Sequence, residues 1–121
     1  LSPMSAFNAL FTATDFLVIG HRGAAGLETE NTLPSFRKQM SSNISFCHID
    51  CDLYSSTKTI LETLGDKLTT GSYVLFDEYF NYPAWRQHEW KAWQEFCASN
   101  KVKYRYAGFV ANGGTVLVEV L

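Results

Sequence analysis

The chain has 121 residues, 46% of them hydrophobic, and a net charge of −2 from 10 basic and 12 acidic side chains. That length fits one domain built on one core, and the weak, mixed charge leaves no basic footprint for nucleic acid. No apolar run approaches the ~20 residues that cross a bilayer, so the expectation is a cytoplasmic protein with neither a membrane nor a nucleic-acid partner.

The opening segment "MSAFNALFTATDFLVIG" has no positive n-region and is interrupted by Asn8, Thr12, Thr14 and Asp15, which argues against a signal peptide. Leu1 is not an initiator, so a processed, tagged or truncated start is expected. Ser2 and Pro3 read as a cap and first helical residue, and the spacing of Phe7, Leu10 and Phe11 predicts a short helix near 3–13. "FLVIG" at 16–20 is a continuous apolar run closed by a glycine, the pattern of a buried strand. After the loop "HRGAAGLETEN", "TLPSFRKQM" predicts a short helix with Leu33, Phe36 and Met40 on one side.

"ISFCHID" at 44–50 predicts a second strand. Ile60, Leu61, Leu64 and Leu68 then recur at helical spacing, with Ser55 or Ser56 as N-cap of a helix reaching about Lys67. "GSYVLFDEY" at 71–79 predicts a third strand that again ends in acids. In the following stretch Pro83 stands near a helix start, and Trp85, Trp93, Phe96 and Cys97 fall at helical intervals. "KVKYRYAGF" and "GTVLVEVL", joined through Asn-Gly-Gly, predict an antiparallel hairpin. Strands alternating with helices and closing on a hairpin indicate a three-layer α/β fold, Rossmann-like, with a mainly parallel sheet over a single domain, 1–121.

Three cysteines, Cys47, Cys51 and Cys97, are too few and wrongly spaced for a zinc site, and read as small buried hydrophobes in a reducing compartment. The acids carry more information. Ligands of a parallel α/β sheet bind beyond the carboxyl ends of its strands. Asp50 ends one strand and Asp77 and Glu78 end the next, so adjacent strands would bring three carboxylates to one edge. Three oxygen donors describe a Mg²⁺-type site. Asp52 reads equally well as a cap for the helix that follows. His48 alternates with Cys47 and Ile49 as a core or rim histidine, and His88 and Glu89 read as a solvated helix face. Trp85, Trp90 and Trp93 fit either a core or the lining of an acceptor pocket.

The paired motifs "HIDCDLYSST" and "GSYVLFDEY", with the sequence between and around them, resemble the C-terminal half of the macrocin O-methyltransferase family. That family uses S-adenosylmethionine, and the likeness covers about 26–121, leaving 1–25 as a variant N-terminal segment. It implies a class I methyltransferase sheet, here incomplete on its N-terminal side, and a small-molecule hydroxyl acceptor oriented by a divalent metal. By match, Asp50, Asp77 and Glu78 would hold the metal and Asp52 would be the base that takes the hydroxyl proton. The family's Gly-rich cofactor loop has no counterpart here: Gly20, Gly23 and Gly26 follow a strand, but at a spacing unlike G-x-G-x-x-G. Gly20 and Gly23 remain the cofactor candidates, and a complete cofactor site is not expected.

"VIGHRGAAGLETENTLPSF" at 18–36 also resembles the opening of a glycerophosphodiester phosphodiesterase. That resemblance implies a TIM barrel, acid–base work by His21, a phosphate grip by Arg22, and Glu30 and Asn31 beside them. His48 replaces the glutamate of that family's metal motif, and its second histidine is missing. The alternatives to a methyltransferase are therefore a phosphodiesterase-like hydrolase or a non-catalytic, recombined α/β module. One expectation concerns assembly. If "FLVIG" takes the place beside the strand ending at Asp50, it is an unprotected edge, which predicts a homodimer through residues 3–20.

Overall fold

The structure is a computed structural model and describes residues 9–12, 16–20, 43–51 and 53–121. Six strands form one sheet: β1 (Ala9–Thr12), β2 (Phe16–Gly20), β3 (Ile44–Asp50), β4 (Leu68–Phe76), β5 (Tyr104–Phe109) and β6 (Val116–Val120). Helix α1 (Tyr54–Leu64) connects β3 to β4, and α2 (Glu89–Asn100) lies between β4 and β5. The spatial order is β1-β2-β3-β4-β6-β5. β2, β3 and β4 run parallel, while β1 and β6 pair antiparallel to β2 and β4, and β5 antiparallel to β6.

The alternation along each strand decides which face is covered. Cys47 and Ile49 on β3, Val74 and Phe76 on β4, and Val116, Val118 and Val120 on β6 are all buried. Their intervening neighbours point to the opposite face. The buried face packs against Ile60, Leu61 and Leu64 of α1 and Ala92, Trp93 and Cys97 of α2. Trp93 is fully buried, its ring centroid 5.4 Å from Phe76, 5.6 Å from Phe96 and 5.5 Å from Tyr104. Burying a side chain of this kind stabilises the fold by about 3 kcal/mol, so Trp93 belongs to the core.

Two local devices fit the elements together. α1 ends where Gly65 meets Phe96: a Cβ on Gly65 would stand 2.3 Å from Phe96 Cε1. The β3–β4 register slips between Ile44 and Phe46 of β3, and on β4 Gly71 has φ +93°, a conformation that L side chains rarely adopt. Ser72 closes the gap, its hydroxyl donating to the Ile44 carbonyl at 2.6 Å and accepting from the Thr69 amide at 2.9 Å.

Several expectations are corrected. Ala9–Thr12 is a strand and not part of a helix, because its amides and carbonyls pair with β2 in register Ala9↔Ile19 to Thr12↔Phe16. β1 therefore occupies the edge of β2, and the open-edge argument for a homodimer falls with it. α1 is not capped by Ser55 or Ser56: its N-cap is Leu53, without a side-chain bond, and the helix stops at Leu64 before a 3₁₀ turn over Gly65–Lys67. Trp85 sits in a separate 3₁₀ turn, Trp85–Gln87, ahead of α2. The described strands form an open mixed sheet, not the barrel that a phosphodiesterase would require. The predicted helix over "TLPSFRKQM" lies outside the described residues. Among the described residues, no helix is long and apolar enough to cross a membrane.

Candidate functional site at the carboxyl edge of the sheet

The parallel strands deliver their last residues to one edge. Gly20 pairs with Asp50 across β2 and β3, and Ile49 pairs with Phe76 across β3 and β4. One step further along that register, Asp50 stands beside Asp77, and the Asp77 amide donates to the Ile49 carbonyl at 3.0 Å. Neighbouring strands lie about 4.8 Å apart, so two carboxylates share a short span. On the sheet face opposite α1 and α2, His48 Nε2 lies 3.5 Å from Asp77 Oδ1. That is ion-pair range but too long for a good hydrogen bond, and Nε2 has no hydrogen-bond partner among the described residues.

Behind this edge sits a residue that the sequence placed wrongly. Glu89 is fully buried rather than solvated. Its Oε2 accepts from the Cys51 amide at 3.2 Å and its Oε1 from the Glu78 amide at 2.9 Å. A carboxyl group at the first residue of a helix is also favoured by the helix dipole. The chain beyond β4 is held from the other side too. The Tyr79 amide donates to the Gly114 carbonyl at 2.7 Å, and the Tyr82 hydroxyl donates to the Glu78 carbonyl at 3.1 Å. Gly114 packs so closely that a Cβ there would meet the Phe80 carbonyl at 3.0 Å.

Beyond the end of β4 opens a cavity of about 340 Å³ walled by Tyr79, Phe80, Trp85, Trp90, Tyr106 and Phe109. Its rings meet edge to face: Trp85 and Trp90 at 5.5 Å, Tyr79 and Tyr106 at 5.9 Å, Phe80 and Phe109 at 6.2 Å. The Arg86 guanidinium lies 4.2 Å from the Trp85 ring centroid. Tyr79 and Tyr106 share a hydroxyl contact of 2.9 Å, and Gln94 Nε2 donates to Tyr79 at 3.2 Å and to Tyr104 at 2.9 Å. Burial, and then the Tyr106 hydroxyl, push the Tyr79 phenol well above its ordinary pKa, so it stays neutral. A larger groove of about 590 Å³ runs between α1 and α2 among Lys58, Glu62, Asp66 and Glu95. It lies along the helix pair and not at the strand ends, so the aromatic cavity is the better binding candidate.

The structure thus juxtaposes Asp50 and Asp77, with Gly20 in line. Glu78 follows directly, but among the described residues no group of three or more His, Cys, Asp or Glu side chains is gathered to hold a metal. The donor chemistry, adjacent partly exposed aspartates at the ends of neighbouring strands, suits a hard cation. The described residues fall short of a complete three-carboxylate set. Asp52, His21, Arg22 and Gly23 lie outside the described residues. Trp93 is core, whereas Trp85 and Trp90 line the cavity. Glu89 and the tyrosine cluster were missed by sequence reasoning, and Glu89 gave no signal beyond its place at the start of a helix.

The family model described as macrocin-O-methyltransferase (TylF) matches residues 22–107. None of the curated proteins matches the chain. Among solved structures, that of CalS11, a calicheamicin methyltransferase, superposes with a TM-score of 0.58 at 27% identity, over 74% of this chain and 34% of that one. The apo structure of CalS11, a TDP-rhamnose 3'-O-methyltransferase, gives 0.57 at 27% identity, over 74% and 37%. The O-methyltransferase NovP, at 24% identity and a TM-score of 0.57 over 74% and 34%, supports the fold. The chain spans about a third of the length of these structures.

Proposed function

The chain belongs to the macrocin-O-methyltransferase family, and from that premise we propose that it forms the acceptor- and metal-binding side of an S-adenosylmethionine-dependent O-methyltransferase. The family match over 22–107 is the observation that carries this reading. The acceptor is a small molecule with a free hydroxyl, seated in the cavity between Trp85, Trp90 and Phe109, with its apolar body on the rings and its hydroxyl toward the acids. The solved neighbours act in the same class of chemistry: one is a TDP-rhamnose 3'-O-methyltransferase.

Asp50 and Asp77 would hold a divalent cation, with Glu78 completing the set. Such a cation supplies Lewis acidity and a template for the acceptor oxygens. Asp52 is the proposed base for the hydroxyl proton, and Glu89 and the β5–β6 loop hold the strand ends in place. Apolar walls keep water from the reacting oxygen. On the cofactor side this chain contributes Gly20 and Gly23. Support for Gly20 is its place at the end of β2, parallel to β3 and opposite Asp50. With no G-x-G-x-x-G run in the sequence, the remaining cofactor contacts must come from elsewhere.

Calorimetric titration with S-adenosylmethionine, with and without Mg²⁺, tests this division of labour. Mg²⁺ binding accompanied by weak or undetectable cofactor binding is expected. Tight S-adenosylmethionine binding would show that these residues build a whole cofactor site. Absence of Mg²⁺ binding would remove the metal from the proposal.

A further inference from the structure

Glu89 is the one charged side chain that is fully buried among the described residues. A carboxyl group taken out of water costs several kcal/mol unless it is well hydrogen-bonded, and an apolar residue of similar size often serves the fold as well. Its partners are specific. The Cys51 amide comes from 38 residues away and the Glu78 amide from 11 residues away. Cys51 directly follows Asp50, and Glu78 directly follows Asp77. One carboxyl group, fixed on the first turn of α2, therefore grips the peptide after each strand-end aspartate. Each oxygen takes one amide, so the bridge sets the spacing between the two chain ends.

We propose that Glu89 is a positioning residue, a clamp that holds Asp50 and Asp77 at the separation a shared divalent cation requires. It does not touch the cation or the acceptor. The proposal rests on the reading of Asp50 and Asp77 as a cation-holding pair. Hydrogen-bonded partners behind metal ligands govern affinity because they fix ligand orientation before the ion arrives. The same carboxyl group couples α2, and through it the Trp90 wall of the cavity, to the acidic edge.

The test uses the full chain and two readouts, Mn²⁺ affinity by calorimetry and amide hydrogen exchange by NMR. In the parent, the Cys51 and Glu78 amides should be protected relative to the exposed loop amides of Ala111 and Asn112. In Glu89→Gln, one amide loses its acceptor, because a side-chain NH₂ faces it. Exchange at Cys51 or Glu78 should quicken while Val74 and Val118 in the core stay protected. Mn²⁺ affinity should fall by roughly ten- to a hundredfold. Asp77→Asn should lose Mn²⁺ affinity without changing exchange at either amide. Unprotected Cys51 and Glu78 amides in the parent would overturn the clamp, and that result needs no variant to fold. Unchanged exchange and unchanged Mn²⁺ affinity in Glu89→Gln would overturn it equally. If the parent binds no Mn²⁺, the cation reading fails, and exchange alone decides whether the clamp exists.

Discussion

His48 and Asp77 meet across the boundary between two parallel strands, Nε2 to Oδ1 at 3.5 Å. The contact joins residues 29 positions apart in a chain whose register pairs His48 with Leu75, so the approach is diagonal. It places an imidazole beside one of two neighbouring aspartates, on the sheet face opposite α1 and α2. Asp77 therefore has a carboxylate neighbour across the strand boundary and an imidazole that limits its orientation.

Removing that carboxylate charge should be felt by a cation more than by the fold. Asp77→Asn is expected to lower Mg²⁺ or Mn²⁺ affinity by about tenfold or more, or about 1.4 kcal/mol. Because Asp77 is partly exposed, its thermal midpoint should move by no more than about 3 °C. Equal affinity in parent and variant would remove Asp77 from the metal set.

The aromatic cavity makes a separate prediction. Trp85 lies in a 3₁₀ turn outside the core and contributes one wall. Trp85→Ala should weaken binding of an aromatic vicinal diol such as catechol by about tenfold, the loss of one good ring contact. Circular dichroism should show the fold retained. A variant that binds the diol as tightly as the parent would move the acceptor elsewhere.

Gly65 tests the packing of α1 on α2. A Cβ at this position would stand 2.3 Å from Phe96 Cε1 and 2.5 Å from Cζ. Gly65→Ala should destabilise by about 1–3 kcal/mol through overpacking. The cost should shrink in a Phe96→Ala background, since the two sites share one space. Denaturant unfolding of the four proteins in this cycle measures it, and strict additivity would contradict the clash.

Alkaline pH probes the core. Burial pushes the Cys47 thiol from 9.0 up to about 12. Above pH 9 the unfolded chain gives up this proton while the folded chain keeps it, so stability falls as pH rises from about 9 toward 12. Cys97 behaves alike, also pushed by burial from 9.0 to about 12. Urea midpoints measured across this range should decline, and Cys47→Ala should decline less steeply. A flat profile would contradict the burial of these thiols.

Much of the fold is legible in the sequence. "FLVIG" and "ISFCHID" are the strands Phe16–Gly20 and Ile44–Asp50, and the terminal hairpin is β5 with β6. Runs of that kind announce themselves because burial on a sheet demands apolar, β-branched residues. Ala9–Thr12 did not, since Phe7, Leu10 and Phe11 satisfy a helical period as readily, and only the edge of β2 selects the strand. Glu89 stayed hidden for a different reason. In "RQHEWK" it has the surroundings of a surface acid, and the two amides that justify its burial come from distant loops. The tryptophans divide in the same way. Spacing left Trp85, Trp90 and Trp93 alike as core or lining; Trp93 is core, and the cavity around Trp85 and Trp90 exists only once Tyr106 and Phe109 arrive from β5.

The central claim is that the acidic edge and the aromatic cavity form one acceptor site assembled around a cation. The most direct measurement is calorimetric binding of catechol to the parent chain in Mg²⁺ and again in EDTA. Binding that appears with Mg²⁺, disappears with EDTA, and is lost in Asp77→Asn is the predicted result. Catechol binding of equal strength with and without Mg²⁺, or none under either condition, would contradict the account.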